Sequence, residues 1–263
     1  MLKGGIFLDM ENLMRNGGWG IRYDVVRDFV EAQGVTVLRA NAYMAIDIAR
    51  EAGDSTLRHK KEGYRSAIRR NGFHLTLKEV MRYRNEDGEE VTKANADLDL
   101  AVDALLQSEN LDYILIGTGD GDFVRLVRAL QSRGQRVDVL SFANTSGHLK
   151  DEADNYISGF LLPGLVREDD VGRLRGVIHY VDEAKGFGFI TARTGLKPTE
   201  VREDIFCHIT EFTRRGASLT NQDFAALRTN GSVVEFTLEE LPDGKSKARG
   251  VREVSWDDEF VRV

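Results

Sequence analysis

A chain of 263 residues, 41% hydrophobic and 30% charged, is long enough for two domains with cores of their own. Its net charge of −7 at pH 7 and isoelectric point of about 5.4 exclude a protein that coats nucleic acid broadly through charge, so any such binding is local. The single cysteine, Cys207, excludes an internal disulfide and fits a reducing cytoplasm; no apolar run approaches a membrane span, and the first strand leaves no room after Met1 for a signal peptide, so a cytoplasmic protein is expected.

The chain opens with Gly5-Ile-Phe-Leu-Asp-Met-Glu-Asn-Leu13, a short apolar strand that delivers Asp9 and then Asn12 at its carboxyl edge. From Thr56 to Arg84, nine lysines and arginines face only Glu62 and Glu79. Lys61, Arg65 and Arg69 share a helical face at four-residue spacing, and Phe73 to Val80 alternates as a strand does. Charge runs are commonly solvated faces, but beside an acidic cluster this one reads as a phosphate-binding surface that positions nucleic acid without reading its sequence. Asn85-Glu-Asp-Gly-Glu89 reads as a turn. Asp97-Leu-Asp-Leu-Ala-Val-Asp103 then begins a helix in which Leu98, Val102 and Leu105 follow helical spacing, so that face is expected in the core. Asp97 lies in the first turn, where an aspartate commonly does no more than favour the helix dipole; Asp99 and Asp103 lie four apart on one side.

Leu115-Ile-Gly-Thr-Gly-Asp-Gly-Asp-Phe123 carries the most chemistry. The run from Tyr113 to Ile116 is apolar at consecutive positions, as in a parallel strand covered on both faces, and it ends in Asp120 and Asp122. Ligands of such sheets collect beyond the carboxyl ends of the strands. The bland reading is a solvated turn capping the helix that begins Phe123, Leu126, Val127, Leu130. Against it stands the second strand end of the same kind at Asp9. Gathered carboxylates repel by roughly 1 kcal/mol per pair even at the dielectric of water. Without cysteine or histidine beside them they suit hard cations such as Mg²⁺ or Mn²⁺.

Asp9-Met-Glu-Asn12, the acidic segment led by Asp97, Thr118-Gly-Asp-Gly-Asp-Phe123, Gly134-Gln-Arg-Val137, the strand Val137-Asp-Val-Leu-Ser-Phe142 and the closing Ser146-Gly-His-Leu149 with Ala153-Asp154 together resemble the NYN family of PIN-like metallonucleases, in particular its LabA-like branch. The resemblance implies metal-binding and catalytic roles for Asp9, Asp97, Asp120 and Asp122, with Asn12 as a polar helper. It implies a second helix acid at Asp103, whereas Asp99 is extra. No residue stands out as a general base, so activation of the attacking water falls to the metal.

Residues 163 to 173 read as a polar connector opened by Pro163 and Gly164. Beyond it, Gly176 to Ile190, with Lys185-Gly-Phe-Gly-Phe189, and Asp204-Ile-Phe-Cys-His208 resemble the two nucleic-acid-binding motifs of the cold-shock domain, a five-stranded barrel of the OB type. The resemblance implies that Phe187, Phe189, Phe206 and His208 form one stacking face, with Tyr180 and Lys185 beside it, while Cys207 alternates into the core. Tyr180 stands where that family usually has tryptophan, Val181 where phenylalanine is usual and Ile209 where an aromatic often follows. Ala192 to Val201 and Arg214 to Asn230 read as long loops, the latter holding Phe224. The last strands are visible at Gly231 to Leu238 and Ala248 to Arg252, where Lys245, Lys247 and Arg249 are candidates for phosphate contact.

The expected architecture is therefore an α/β, PIN-like Rossmannoid parallel sheet flanked by helices over residues 1–162, a linker at 163–173, and an all-β OB-type cold-shock barrel over 174–255. The expected function is a divalent-metal-dependent endoribonuclease acting on single-stranded RNA, or single-stranded DNA, held by the barrel, with Mg²⁺ or Mn²⁺ as cofactor and no membrane partner. Two alternatives stand: a non-catalytic RNA-binding regulator with an acidic pocket, and a structure-specific DNA nuclease.

Overall fold

The computed structural model describes residues 1–84, 90–93, 96–166, 172–212 and 218–254, the side chains of 81–84 and 90–93 excepted. The expected turn at 85–89, most of the connector's acidic part and residue 255 lie outside the described residues, as do the side chains of Arg82 and Arg84. The described chain divides into two compact units, residues 1–19 with 23–157, and 20–22 with 158 onward.

The first unit is built on a six-stranded sheet of order β3-β2-β1-β6-β7-β8. In chain order it runs β1 (Leu2–Asp9), α1 (Met10–Arg15), α2 (Tyr23–Ala32), β2 (Val35–Ile46), α3 (Ile48–Gly53), α4 (Ser55–Arg70), β3 (His74–Glu79), the ladder β4 (Met81–Arg84) with β5 (Glu90–Lys93), α5 (Asp97–Gln107), β6 (Tyr113–Gly117), α6 (Val124–Gln131), β7 (Arg136–Ser141), α7 (Gly147–Glu152) and β8 (Asn155–Ser158). β1 is central and pairs in parallel with β2 and β6, so Asp9 lies level with Tyr43 just past Gly117. Its last six residues are all buried, because helices cover both faces and leave no polar side to alternate. Phe7, Ile114, Ile116, Val137 and Val139 pack with Leu100 and Ala104 of α5 and Val127 and Leu130 of α6.

Helix α5 corrects the expected orientation. Leu100 and Ala104 are fully buried, whereas Leu98 and Val102 are 65% and 44% exposed, and only Leu105 of the expected trio packs on the core. The helix carries two apolar stripes, and the one with the small Ala104 lies against the sheet, where a short side chain lets helix and strands approach.

The second unit is a closed barrel of order β10-β11-β13-β12-β9, formed by β9 (Leu174–Asp182), β10 (Phe187–Arg193), β11 (Val201–His208), β12 (Val233–Glu240) and β13 (Ser246–Glu253). Ile178, Ile190, Ile205, Cys207, Val234, Phe236 and Val251 fill it. Burial pushes the Cys207 thiol up to about 12, which makes it inert core. The expected loop Arg214 to Asn230 instead contains a helix, α8 (Asn221–Thr229), started by a reciprocal capping box between Thr220 and Asp223. Phe224 of α8 is fully buried edge-on to Phe212, so it belongs to the barrel core.

Candidate metal centre and nucleic-acid face

The acidic residues lie where two strand ends and one helix start approach one another. Asp9 ends β1 and caps α1: its Oδ1 accepts from the Asn12 backbone N–H at 3.1 Å and its Oδ2 from the Thr118 hydroxyl at 3.1 Å. Asn12 then reaches across, its Oδ1 accepting from the Gly119 N–H at 2.8 Å. Asp120 caps the short turn that follows β6, accepting from the Asp122 N–H at 2.9 Å. This turn is crowded by the loop after β7: Ser146 N–H donates to the Gly119 carbonyl at 2.9 Å, and a Cβ on Gly121 would stand 2.9 Å from the Ser146 hydroxyl. The two strand ends are thus cross-tied by side chains of the motifs themselves.

Electrostatics show which carboxylates share the space. Asp9 is 7% exposed, and burial, aided by the charges of Asp97 and Glu11, raises it to about 6 despite its two hydrogen bonds. Asp97 is raised as well, by burial first and then by Asp120, Glu11 and Asp122. Asp97 thus stands within reach of the charges on both strand ends, raising Asp9 on one side and raised by Asp120 and Asp122 on the other. Glu11 joins them although its residue-level signal, the second acid of Asp9-Met-Glu-Asn12, drew no role; Thr118, fully buried, is a second participant. Asp103, six residues along α5 from Asp97, accepts from the Tyr43 hydroxyl at 2.8 Å, and its charge is not among those that raise Asp9 or Asp97. Asp99 is held by Lys78 at 3.0 Å.

Among the described residues, no three acidic, histidine or cysteine side chains converge closely enough to ligate one ion directly. The all-oxygen donor set nonetheless fits Mg²⁺, which keeps most of its waters and takes one or two carboxylates. Two carboxyls pushed upward by burial and mutual repulsion are those a cation would relieve.

The basic helix differs from expectation. Arg65 is 3% exposed and makes a two-pronged pair with Glu51 at 2.8 and 2.5 Å, so it does not face phosphate. Arg69 is exposed but pairs with Glu62 at 3.0 Å, and Lys61 is half-buried. The exposed cations of α4 are Arg58, Lys60, Arg69 and Arg70.

On the barrel, Phe187 and Phe189 point outward between buried Gly188 and Ile190, and Phe206 and His208 flank buried Cys207. Register puts Phe189 opposite both Phe206 and Tyr180, and Phe187 opposite His208. The rings of Tyr180, Phe187, Phe189 and Phe206 lie 5.7–6.3 Å from their neighbours, forming one continuous patch. His179 extends it, stacked 6.5 Å from Phe189. A register shift in the β9–β10 ladder lets His179 and Tyr180 both face outward, which simple alternation does not anticipate. Lys185, exposed in the turn before β10, lies 3.6 Å from the Asp182 carboxylate. Lys245, Lys247 and Arg249 instead engage Asp243, Glu211 and Glu239.

The family model of the NYN domain matches residues 3–163, and that of the 'Cold-shock' DNA-binding domain matches residues 174–254. The low amplitude and bright protein LabA of Synechococcus elongatus is 24% identical over 162 residues, 58% of this chain and 81% of that protein. A protein of unknown function from Vibrio parahaemolyticus, known from its crystal structure, shares 26% identity over 60% of this chain and 92% of its own, with a TM-score of 0.49. No helix among the described residues is long and apolar enough to cross a membrane.

Proposed function

The chain belongs to the NYN domain family, and on that premise we propose that it is a divalent-metal-dependent endoribonuclease whose cold-shock barrel captures the single strand that the first unit cuts. The two matched domains already indicate a nuclease that binds single-stranded nucleic acid. The observation that supports the finer reading is the buried Asp9 carboxyl, raised to about 6 among Asp97, Asp120 and Asp122 at the carboxyl ends of β1 and β6.

In this reading the Thr118 hydroxyl and the start of α1 fix Asp9 in one orientation, and Asn12 holds the Asp120–Asp122 turn beside it. Asp97 brings negative charge from the facing helix. Asp9, Asp97, Asp120 and Asp122 would hold a divalent ion, which would supply a water of lowered pKa and neutralise charge on the departing oxygen. The aromatic patch holds bases by stacking, worth roughly 1–3 kcal/mol each and tolerant of sequence. Stacking accepts either backbone, so RNA as the substrate is our proposal rather than a reading of the patch.

The test is to incubate the full chain with single-stranded RNA, duplex RNA and single-stranded DNA in Mg²⁺, Mn²⁺ or excess EDTA. Cleavage of single-stranded RNA that EDTA abolishes is expected. Binding without cleavage in any metal would instead favour the regulator, and cleavage confined to DNA the structure-specific DNA nuclease.

A further inference from the structure

Among the described residues, Trp19 joins neither the core nor a ring contact. It is 47% exposed, while Leu13, Ile21 and Tyr23, near it in the chain, are buried. It is the one tryptophan among the described residues, and its indole has no hydrogen bond or ring contact among them. Exposed single aromatics are ordinary, so exposure by itself assigns nothing. What distinguishes this one is how tightly its loop is built and what the loop is tied to.

The loop reads Asn16-Gly-Gly-Trp-Gly20. Gly17 and Gly20 have φ of 107° and 71°, conformations that side chains rarely adopt, and nothing lies within 4 Å of where a Gly20 Cβ would be. Gly18 is pressed inward: its N–H donates to the Leu13 carbonyl at 2.8 Å, and a Cβ there would stand 2.6 Å from the Phe142 ring. Glycine spacing thus presents the tryptophan on a pinned backbone. Asn16 anchors the loop to the metal-centre side: its Nδ2 donates to the Asn12 carbonyl at 2.7 Å, its Oδ1 accepts from Asn144 at 3.1 Å, and its carbonyl accepts from the Ala143 N–H at 2.9 Å. Asn12 is the residue that holds Gly119, next to Asp120. By the rise of helix α1, Asn16 lies roughly 10 Å from Asp9, and Trp19 is three residues further.

We propose that Trp19 is a stacking platform for an unpaired base of the single strand cut at the neighbouring acidic centre. This rests on the nuclease reading and adds a binding residue to it. A broad indole on a fixed loop stacks any base without losing much conformational freedom, and it would set the strand's path past the reacting phosphate.

The experiment uses the full chain carrying Trp256→Phe, so that Trp19 is the sole indole, with Asp120→Asn to prevent cleavage. Single-stranded RNA is titrated in Mg²⁺ while Trp19 emission and the anisotropy of labelled RNA are followed together. Quenching that tracks binding is expected. In the cleaving protein, Trp19→Ala raises KM about 5- to 150-fold with kcat nearly unchanged, and Trp19→Phe recovers most of the loss. Unchanged emission while anisotropy reports binding would overturn the proposal, and so would a wild-type KM for Trp19→Ala. A blue shift that grows with protein concentration in the absence of RNA would equally overturn it, because a protein surface would then cover the ring. Quenching without cleavage by the Trp256→Phe protein in any metal would support stacking while removing the nuclease reading.

Discussion

At Asp9 one carboxyl ties function to stability. Folding transfers it from water, where it ionises near 3.8, to a site where burial raises it to about 6. Between those values the folded state holds a proton that the unfolded chain has released, so metal-free stability falls as pH rises through the window. The full cost, about 3 kcal/mol for roughly two units, is present above pH 6. Asp9→Asn therefore stabilises the EDTA-treated protein at pH 7.5, gives little change near pH 4, and loses nearly all cleavage; melting curves at both pH values together with RNA cleavage assays check this. Because a cation needs the ionised form, metal affinity weakens as pH falls through about 6. If Asp9→Asn destabilises the apo protein at pH 7.5, the carboxyl is not the strained group described. Tyr180 is a second residue-scale case. Its 45% exposure on the stacking face means that Tyr180→Trp gains ring area without overpacking, so tighter single-strand binding at unchanged melting temperature is expected.

At the scale of elements, strand ends were legible in the sequence and helix faces were less so. Asp9 and Asp120 could be placed because an apolar run that stops at a carboxylate leaves one place for it in a parallel sheet. Periodicity alone could not say which stripe of α5 turns inward, since Leu98-Val102 and Leu100-Ala104 are both apolar at four-residue spacing. Nor could it reveal that Arg65, mid-stripe on a basic helix, sits under α3 against Glu51. The α8 helix did leave a signal in Thr220-x-x-Asp223, outweighed by its polar surroundings. Two consequences follow for measurement. Leu100→Ala opens a cavity and costs about 2–5 kcal/mol, whereas Leu98→Gln stays within about 0.5 kcal/mol; denaturant unfolding of the pair distinguishes the buried stripe from the open one. Arg65→Ala strands the Glu51 carboxylate and costs about 3–5 kcal/mol while leaving the salt dependence of RNA binding as it was. A flattened salt slope at full stability would restore Arg65 to the phosphate-contacting set.

At the scale of the whole molecule, the proposed function divides between rings that would hold bases and acids that would serve the cut, and each set lies within one unit. The four clustered rings lie on β9, β10 and β11 of the barrel, and Asp97 of α5 lies between the acids of β1 and of the turn after β6. Joining them in one chain makes the second encounter intramolecular, so the gain depends on concentration: at low RNA the barrel raises the strand's effective concentration at the acids, and at saturating RNA it contributes nothing. The full chain with Phe187→Ala and Phe206→Ala should then lose affinity by roughly 1–3 kcal/mol for each ring that stacks a base, while keeping kcat. Asp120→Asn should show the converse, wild-type binding with cleavage lost. Initial rates across RNA concentration, together with equilibrium binding, measure both. If the double phenylalanine variant lowers kcat at saturation as strongly as it weakens binding, the barrel orients the strand during the cut rather than only capturing it.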